Sequence, residues 1–248
     1  MTESRTDGRA RRRVLTGLGA TALAAVLPVA GARASAGTVV VELFTSQGCS
    51  SCPPAERLLA ELTERPNFIT LGYHVQYWDH IGWKDPYGDP RCQERQEAYR
   101  AWLGTRFLYT PQMVIGGRYD VVGSRRGEVE ALIASDAKEP QLSLELTESQ
   151  VGEALRLPKG SAGPKGAQLL AVRYLDRATT EVARGENAGR TLSERNIVRD
   201  LERLTVWGGE QRLVPLPAGR DVTHGQALLL QDLETGAILA ALDRPPLG

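Results

Sequence analysis

The chain has 248 residues, 42% of them hydrophobic, with 30 Lys and Arg against 30 Asp and Glu. That balance fits one or two ordinary globular domains and excludes a fibrous or disordered chain. Zero formal charge argues against a nucleic-acid binder, and three cysteines are too few for a disulfide scaffold.

Basic residues form a dense run at one place only. Arg9, Arg11, Arg12 and Arg13 precede a mildly apolar stretch from Val14 to Ala30 and Ala-x-Ala steps from Ala32 to Ala36. This anatomy predicts an export signal over residues 1–36, and Arg11-Arg12-Arg13-Val14-Leu15 fits the twin-arginine pattern. Removing that segment leaves 212 residues with 24 basic and 28 acidic side chains, an expected mature charge of −4. No later stretch has the length of a membrane helix. The expectation is a periplasmic or secreted protein, not inserted in the membrane after signal cleavage, in a compartment where disulfides persist.

Thr38 to Phe44 is a β-branched run suited to a buried strand, and Thr45-Ser46-Gln47-Gly48 supplies turn chemistry. Ala55, Leu58, Leu59 and Leu62 then recur at helical spacing within Ser50–Glu64, and Phe68 to Val75 reads as a second strand pairing in parallel with the first. The connection Gln76–Pro90 holds Tyr77, Trp78, Trp83 and Tyr87, aromatic residues that more often pin a long loop than line a binding groove. A helix is expected over Arg91–Leu103, a hairpin with a two-residue turn at Gly116-Gly117, and a last helix over Arg125–Ala137 capped by Ser124. These elements make residues 37–139 an α/β domain. Past Pro140, alternating runs such as Leu142, Leu144, Leu146 and turns at Pro158–Gly166 and Pro215–Gly219 make residues 140–248 a smaller β-rich, sandwich-like module, with one helix possible at Ser193–Leu204.

Cys49-Ser50-Ser51-Cys52 falls where the first strand ends and the first helix begins. A helix N-terminus carries unpaired N–H groups and a partial positive charge, which lower a thiol pKa from ~8.5 into the range ~3.5 to 7.5. Cys49, expected to be the more exposed sulfur, would attack a substrate disulfide, and Cys52 would resolve the mixed disulfide. Pro53 and Pro54 suit the first helical turn. An inert disulfide and a two-cysteine metal site are the competing readings; for the latter, neither a second CxxC nor a close His pair is present. His74 and Asp79 flank the end of the second strand, where a buried hydrogen-bonded histidine and a turn-forming aspartate are the plainer roles. Cys92 is the thiol left over, expected to be a buried small apolar residue. Asn187, Arg190, Asn196 and Arg199 form a polar group expected to knit the two parts together.

The strings VELFTSQGCSSCPPAE, HVQYWDHIGWKDPY, YTPQMVIGG and ARGENAGRTLSERNIVRDL resemble an exported bacterial thioredoxin-like family grouped under a domain of unknown function, with a β-rich C-terminal extension. The resemblance covers nearly all of the mature chain. It implies a thioredoxin-like fold and a thiol-disulfide role, with Thr110 and a cis Pro111 beside the CxxC presenting backbone to a bound substrate. Gln76 stands where that family often has an acid, and a cysteine at position 92 is not general in it.

The leading expectation is therefore an exported thiol-disulfide oxidoreductase or isomerase, with Cys49 and Cys52 catalytic and Thr110 and Pro111 binding substrate. It would need no bound cofactor or metal and would act on a protein or small-molecule thiol or disulfide, together with a redox partner that the sequence does not identify. A copper or zinc binding or delivery protein using the same thiolates, and a non-catalytic binding module on a thioredoxin-like scaffold, are the alternatives.

Overall fold

In the computed structural model, which describes residues 1–2, 37–150 and 152–247, the first buried strand, β1 (Val39–Thr45), lies at the heart of a mixed sheet. Of the expected export signal, residues 3–36 lie outside the described ones. β1 pairs in parallel with β2 (Phe68–His74), and the crossover between them is α1 (Pro53–Thr63). On the other side β1 pairs antiparallel with β3 (Gln112–Ile115), which turns back into β4 (Tyr119–Val122). Helix α2 (Pro90–Leu103) precedes β3, and α3 (Arg126–Asp136) follows β4.

Period-two alternation sorts β1 between two cores. Val39, Val41 and Leu43 pack on Ala55, Leu58, Leu59 and Leu62 of α1 and on Val129 and Ile133 of α3. Val40 and Phe44 point to the opposite face, against Tyr99 of α2. The Gly-Gly hairpin is present, but Ile115 pairs with Tyr119, so its loop is Gly116–Arg118, one residue longer than the two-residue turn expected. Gly116 (φ +58°) cannot be replaced there, because a Cβ would lie 1.8 Å from Asp136 Oδ1. Ser124 does not cap α3; Arg125 holds the N-cap position with no side-chain cap.

Residues 140–248 add strands to the same sheet. β7 (Ala167–Glu181), β8 (Thr191–Trp207), β10 (His224–Asp232) and β11 (Ile238–Arg244) extend it to the order β11-β10-β7-β8-β2-β1-β3-β4. β8 joins the first half through one parallel pairing, Gly72 with Ile197, reinforced by Asn196 Nδ2, which donates to Thr70 O and Oγ1 at 3.0 Å. A separate sheet of β5 (Glu145–Ser149), β6 (Gly152–Leu157) and β9 (Arg212–Pro215) lays Leu155, Leu157 and Val214 over Leu169, Trp207, Leu228 and Leu230. One face of the large sheet thus carries α1, α3 and this small sheet, and α2 packs on the other.

The helix considered at Ser193–Leu204 is instead part of β8. Its Leu-Glu-Arg-Leu stretch suits a helix, but fourteen residue pairings with β7, from Thr191–Glu181 to Trp207–Ala167, hold it extended. Propensity yields where a long partner strand is available.

Candidate functional site

β1 ends at Thr45 and α1 begins at Pro53, so Ser46–Cys52 must turn the chain from the sheet into the helix. It does so with local bonds: Cys49 N–H donates to Ser46 O at 3.1 Å, and Cys52 N–H to Cys49 O at 3.2 Å. Cys52 is the N-cap of α1, and Pro53 and Pro54 occupy positions where a missing N–H breaks no helical bond. This turn brings the Cys49 and Cys52 Cα atoms to 5.4 Å, and the two sulfurs form a disulfide.

Cys49 is not the exposed partner expected from the sequence: it is fully buried, and Cys52 is 1% exposed. The cover comes from the loop between β7 and β8, which carries Gly185, Glu186 and Asn187. Asn187, itself fully buried, donates from Nδ2 to Gln47 O and to Cys49 O, each at 2.9 Å. Glu186 Oε2 accepts from Ser50 N–H at 3.1 Å. Gly185 (φ +78°) lets this loop approach the aromatic segment, where a Cβ would come within 3.1 Å of Trp83 Cβ. Ser50 and Ser51 remain exposed. Three of the four polar residues expected to knit the two parts do so, Asn187 on the disulfide turn, Asn196 on β2 and Arg199 on Tyr87 O at 3.2 Å, while Arg190 instead holds Asn187 Oδ1 at 3.0 Å within its own loop.

The Thr110-Pro111 bond is cis. Trp78 links it to the disulfide turn, since its Nε1 donates to Thr110 Oγ1 at 2.8 Å while its Cβ lies 3.1 Å from where a Cβ of Gly48 would stand. Trp83 donates to Gln47 Oε1 at 3.0 Å, and Tyr87 stands edge-on to His74. These contacts pin the long aromatic connection against the first turn. Asp79 has the turn-forming role, accepting from Asp85 N–H at 3.2 Å. Cys92, on α2, is buried, and burial pushes its thiol up to about 12.

Behind the disulfide lies a buried group of charges that the sequence reading did not assemble. His74, at the end of β2, is fully buried, and its Nδ1 is 2.8 Å from Asp85 Oδ2. Its Nε2 faces Glu194 Oε1 of β8 at 3.8 Å. Glu56, one turn into α1 from Cys52, accepts from Thr45 Oγ1, and Gln47 Nε2 donates to Glu194 Oε2 at 2.8 Å. Burial pushes Glu56 up to about 7, with Glu194 nearby adding to the rise. Burial also raises Glu194, against the pull of His74. On His74 burial opposes the charged form, but the carboxylates of Asp85, Glu194 and Glu56 outweigh it and hold the imidazole up at about 10. Burial likewise disfavours charge on Asp85, yet His74 and the backbone N–H groups of Gln47 and Tyr87 bring it below the usual carboxylate range. One atom from each of Glu56, His74 and Glu194 lies within 4.8 Å of the others, so among the described residues these three could hold a metal ion. The spacing Cys52 to Glu56, four residues on a helix, was visible in the sequence; that the side chain points inward was not.

The solved structures similar to this chain include protein AGR_C_4864 from Agrobacterium tumefaciens, 28% identical over 86% of this chain and 96% of that one, with a TM-score of 0.72. HBP35 of Porphyromonas gingivalis shares the fold at a TM-score of 0.55, with 15% identity over 85% of this chain and 75% of that one. No curated protein matches. Residues 40–231 match the profile of a protein family of unknown function, DUF1223, and the chain belongs to that family.

Proposed function

We propose that the protein is an exported thiol-disulfide oxidoreductase or isomerase with a thioredoxin-like fold and a sandwich-like β-rich extension, working in the periplasm or outside the cell. The observation that carries this reading is the Cys49–Cys52 disulfide at the junction of a buried strand and a helix N-terminus. The fold reading is supported by the element order: strand, CxxC helix, strand, helix, cis Thr110-Pro111, hairpin, helix. In the reduced protein the Cys49 thiolate attacks a substrate disulfide, forming a mixed disulfide and releasing one substrate thiolate. Cys52 then attacks Cys49 Sγ, releasing the second thiolate and restoring the Cys49–Cys52 bond, so two electrons pass to the substrate. A thiol or disulfide partner supplies or removes those electrons between cycles, and the reverse order of steps oxidises a dithiol. Because Asn187 and Glu186 cover the pair, a substrate must displace this loop to reach Cys49, with Thr110 and Pro111 then presenting their backbone to it.

The test is exchange with glutathione. The wild-type protein is equilibrated across glutathione redox buffers, and Cys52→Ala is treated with oxidised glutathione. Expected are a reversible two-electron transition and a mixed disulfide on Cys49. A potential below about −300 mV, with no adduct on Cys49, identifies a structural bridge and ends the enzyme reading.

A further inference from the structure

We propose that Glu56, His74 and Glu194 form a binding site for one divalent transition-metal ion of the zinc class, with Asp85 as the outer partner of the histidine. His74 Nδ1 is held by Asp85 Oδ2 at 2.8 Å, the carboxylate–histidine arrangement that fixes a ligating imidazole. The other nitrogen, Nε2, is fully buried and has no hydrogen-bond partner among the described residues. It faces Glu194 Oε1 at 3.8 Å.

The remaining atoms of the glutamates are already oriented. Gln47 Nε2 holds Glu194 Oε2 at 2.8 Å, which leaves Oε1 toward His74, and Thr45 Oγ1 holds Glu56. The candidate ligand atoms lie within 4.8 Å of one another; zinc bonds nitrogen and oxygen at about 2.0–2.2 Å, so side-chain adjustments of roughly 1 Å would seat the ion. A dication replaces the Nε2 proton, leaves Nδ1–H on Asp85, and offsets three carboxylates that a single imidazole does not balance. One nitrogen and two carboxylate oxygens suit zinc better than magnesium or calcium, which prefer oxygen alone. Glu56 and Glu194 also line an open pocket of about 210 Å³ with Pro53, Arg57 and Thr191, the side from which an ion would enter.

The experiment uses the full chain with the Cys49–Cys52 disulfide intact, dialysed against zinc chloride and measured by metal analysis and calorimetric titration. Expected is one zinc per chain, retained in a Cys49→Ser, Cys52→Ser double variant, weakened about 10- to 100-fold in Asp85→Asn, and lost in His74→Gln and in Glu194→Gln. Cobalt titrated into the wild-type protein is a readout independent of whether a variant folds: visible bands of nitrogen and oxygen ligation, without thiolate charge transfer, are expected. Zinc binding no greater than the buffer blank, zinc lost in the double serine variant, or a thiolate charge-transfer band overturns the proposal.

Discussion

Two groups of buried charge lie on opposite faces of the first half of the sheet, and they handle the burden differently. On the α2 face, Arg95 grips Glu42 of β1 through Nε at 2.6 Å and Nη2 at 2.9 Å, reaches Gln231 of β10 at 3.2 Å, and stacks between Tyr73 and Tyr99. One charge meets one opposite charge, and Tyr99 completes Glu42's bonds. On the α1 face, Glu56, Asp85 and Glu194 surround a single His74 whose Nε2 is unpartnered among the described residues, and two of the acids reach a pocket. A buried pair that is balanced internally acts as a fastener between elements. A buried group with an excess of one sign and an unpartnered nitrogen has no such internal balance, and the metal ion proposed above would supply it.

The largest effect should come from unbalancing the first group. Arg95→Met leaves Glu42 as an uncompensated buried charge, and a loss of about 3–5 kcal/mol is expected in urea unfolding; a loss under about 1 kcal/mol would erase the contrast. Asn187→Ala removes the donor to two buried carbonyls on the disulfide turn, with an expected loss of about 1–3 kcal/mol. The same variant should speed reduction of the Cys49–Cys52 bond by dithiothreitol, since Cys49 loses its cover; an unchanged rate would mean that access is gained elsewhere. In the second group the sign should reverse. Glu56→Gln removes one of three crowded acids and keeps an acceptor for Thr45, so with chelator present at pH 8 it should gain about 1 kcal/mol in thermal unfolding. A loss as large as that of Arg95→Met would show that the two groups are fasteners alike. The smallest effect concerns Cys92. With its thiol pushed up to about 12 by burial, the thiolate fraction at pH 8 is on the order of 10⁻⁴. After reduction, iodoacetamide in native buffer should therefore spare position 92, as peptide mass mapping can check.

Much of the first half could be read from local pattern. The β-branched run of β1, the helical repeat Ala55, Leu58, Leu59, Leu62, and the Gly116-Gly117 pair each encode their own element, because strand alternation, helix periodicity and positive φ are properties of short segments. Pro53 and Pro54 after Cys52 were legible as a helix start for the same reason. Beyond residue 140 local signals weakened. Leu201-Glu202-Arg203-Leu204 favours a helix by itself and becomes strand only because β7 lies alongside. The burial of Cys49 has no local signal, because its cover, Asn187, is 138 residues away.

The sequence by itself determined that two cysteines share a turn between a strand and a helix, that a proline follows a threonine before a hairpin, and that a third cysteine stands alone. Those facts are local, fixed by spacings of a few residues. Only the tertiary structure decided that the disulfide is covered, that Glu56 points inward, and that His74, Asp85 and Glu194 meet beneath it. Burial and charge balance are sums over neighbours drawn from β1, α1, β2, the aromatic connection and β8, and no single stretch of chain contains enough of those neighbours to fix the sum.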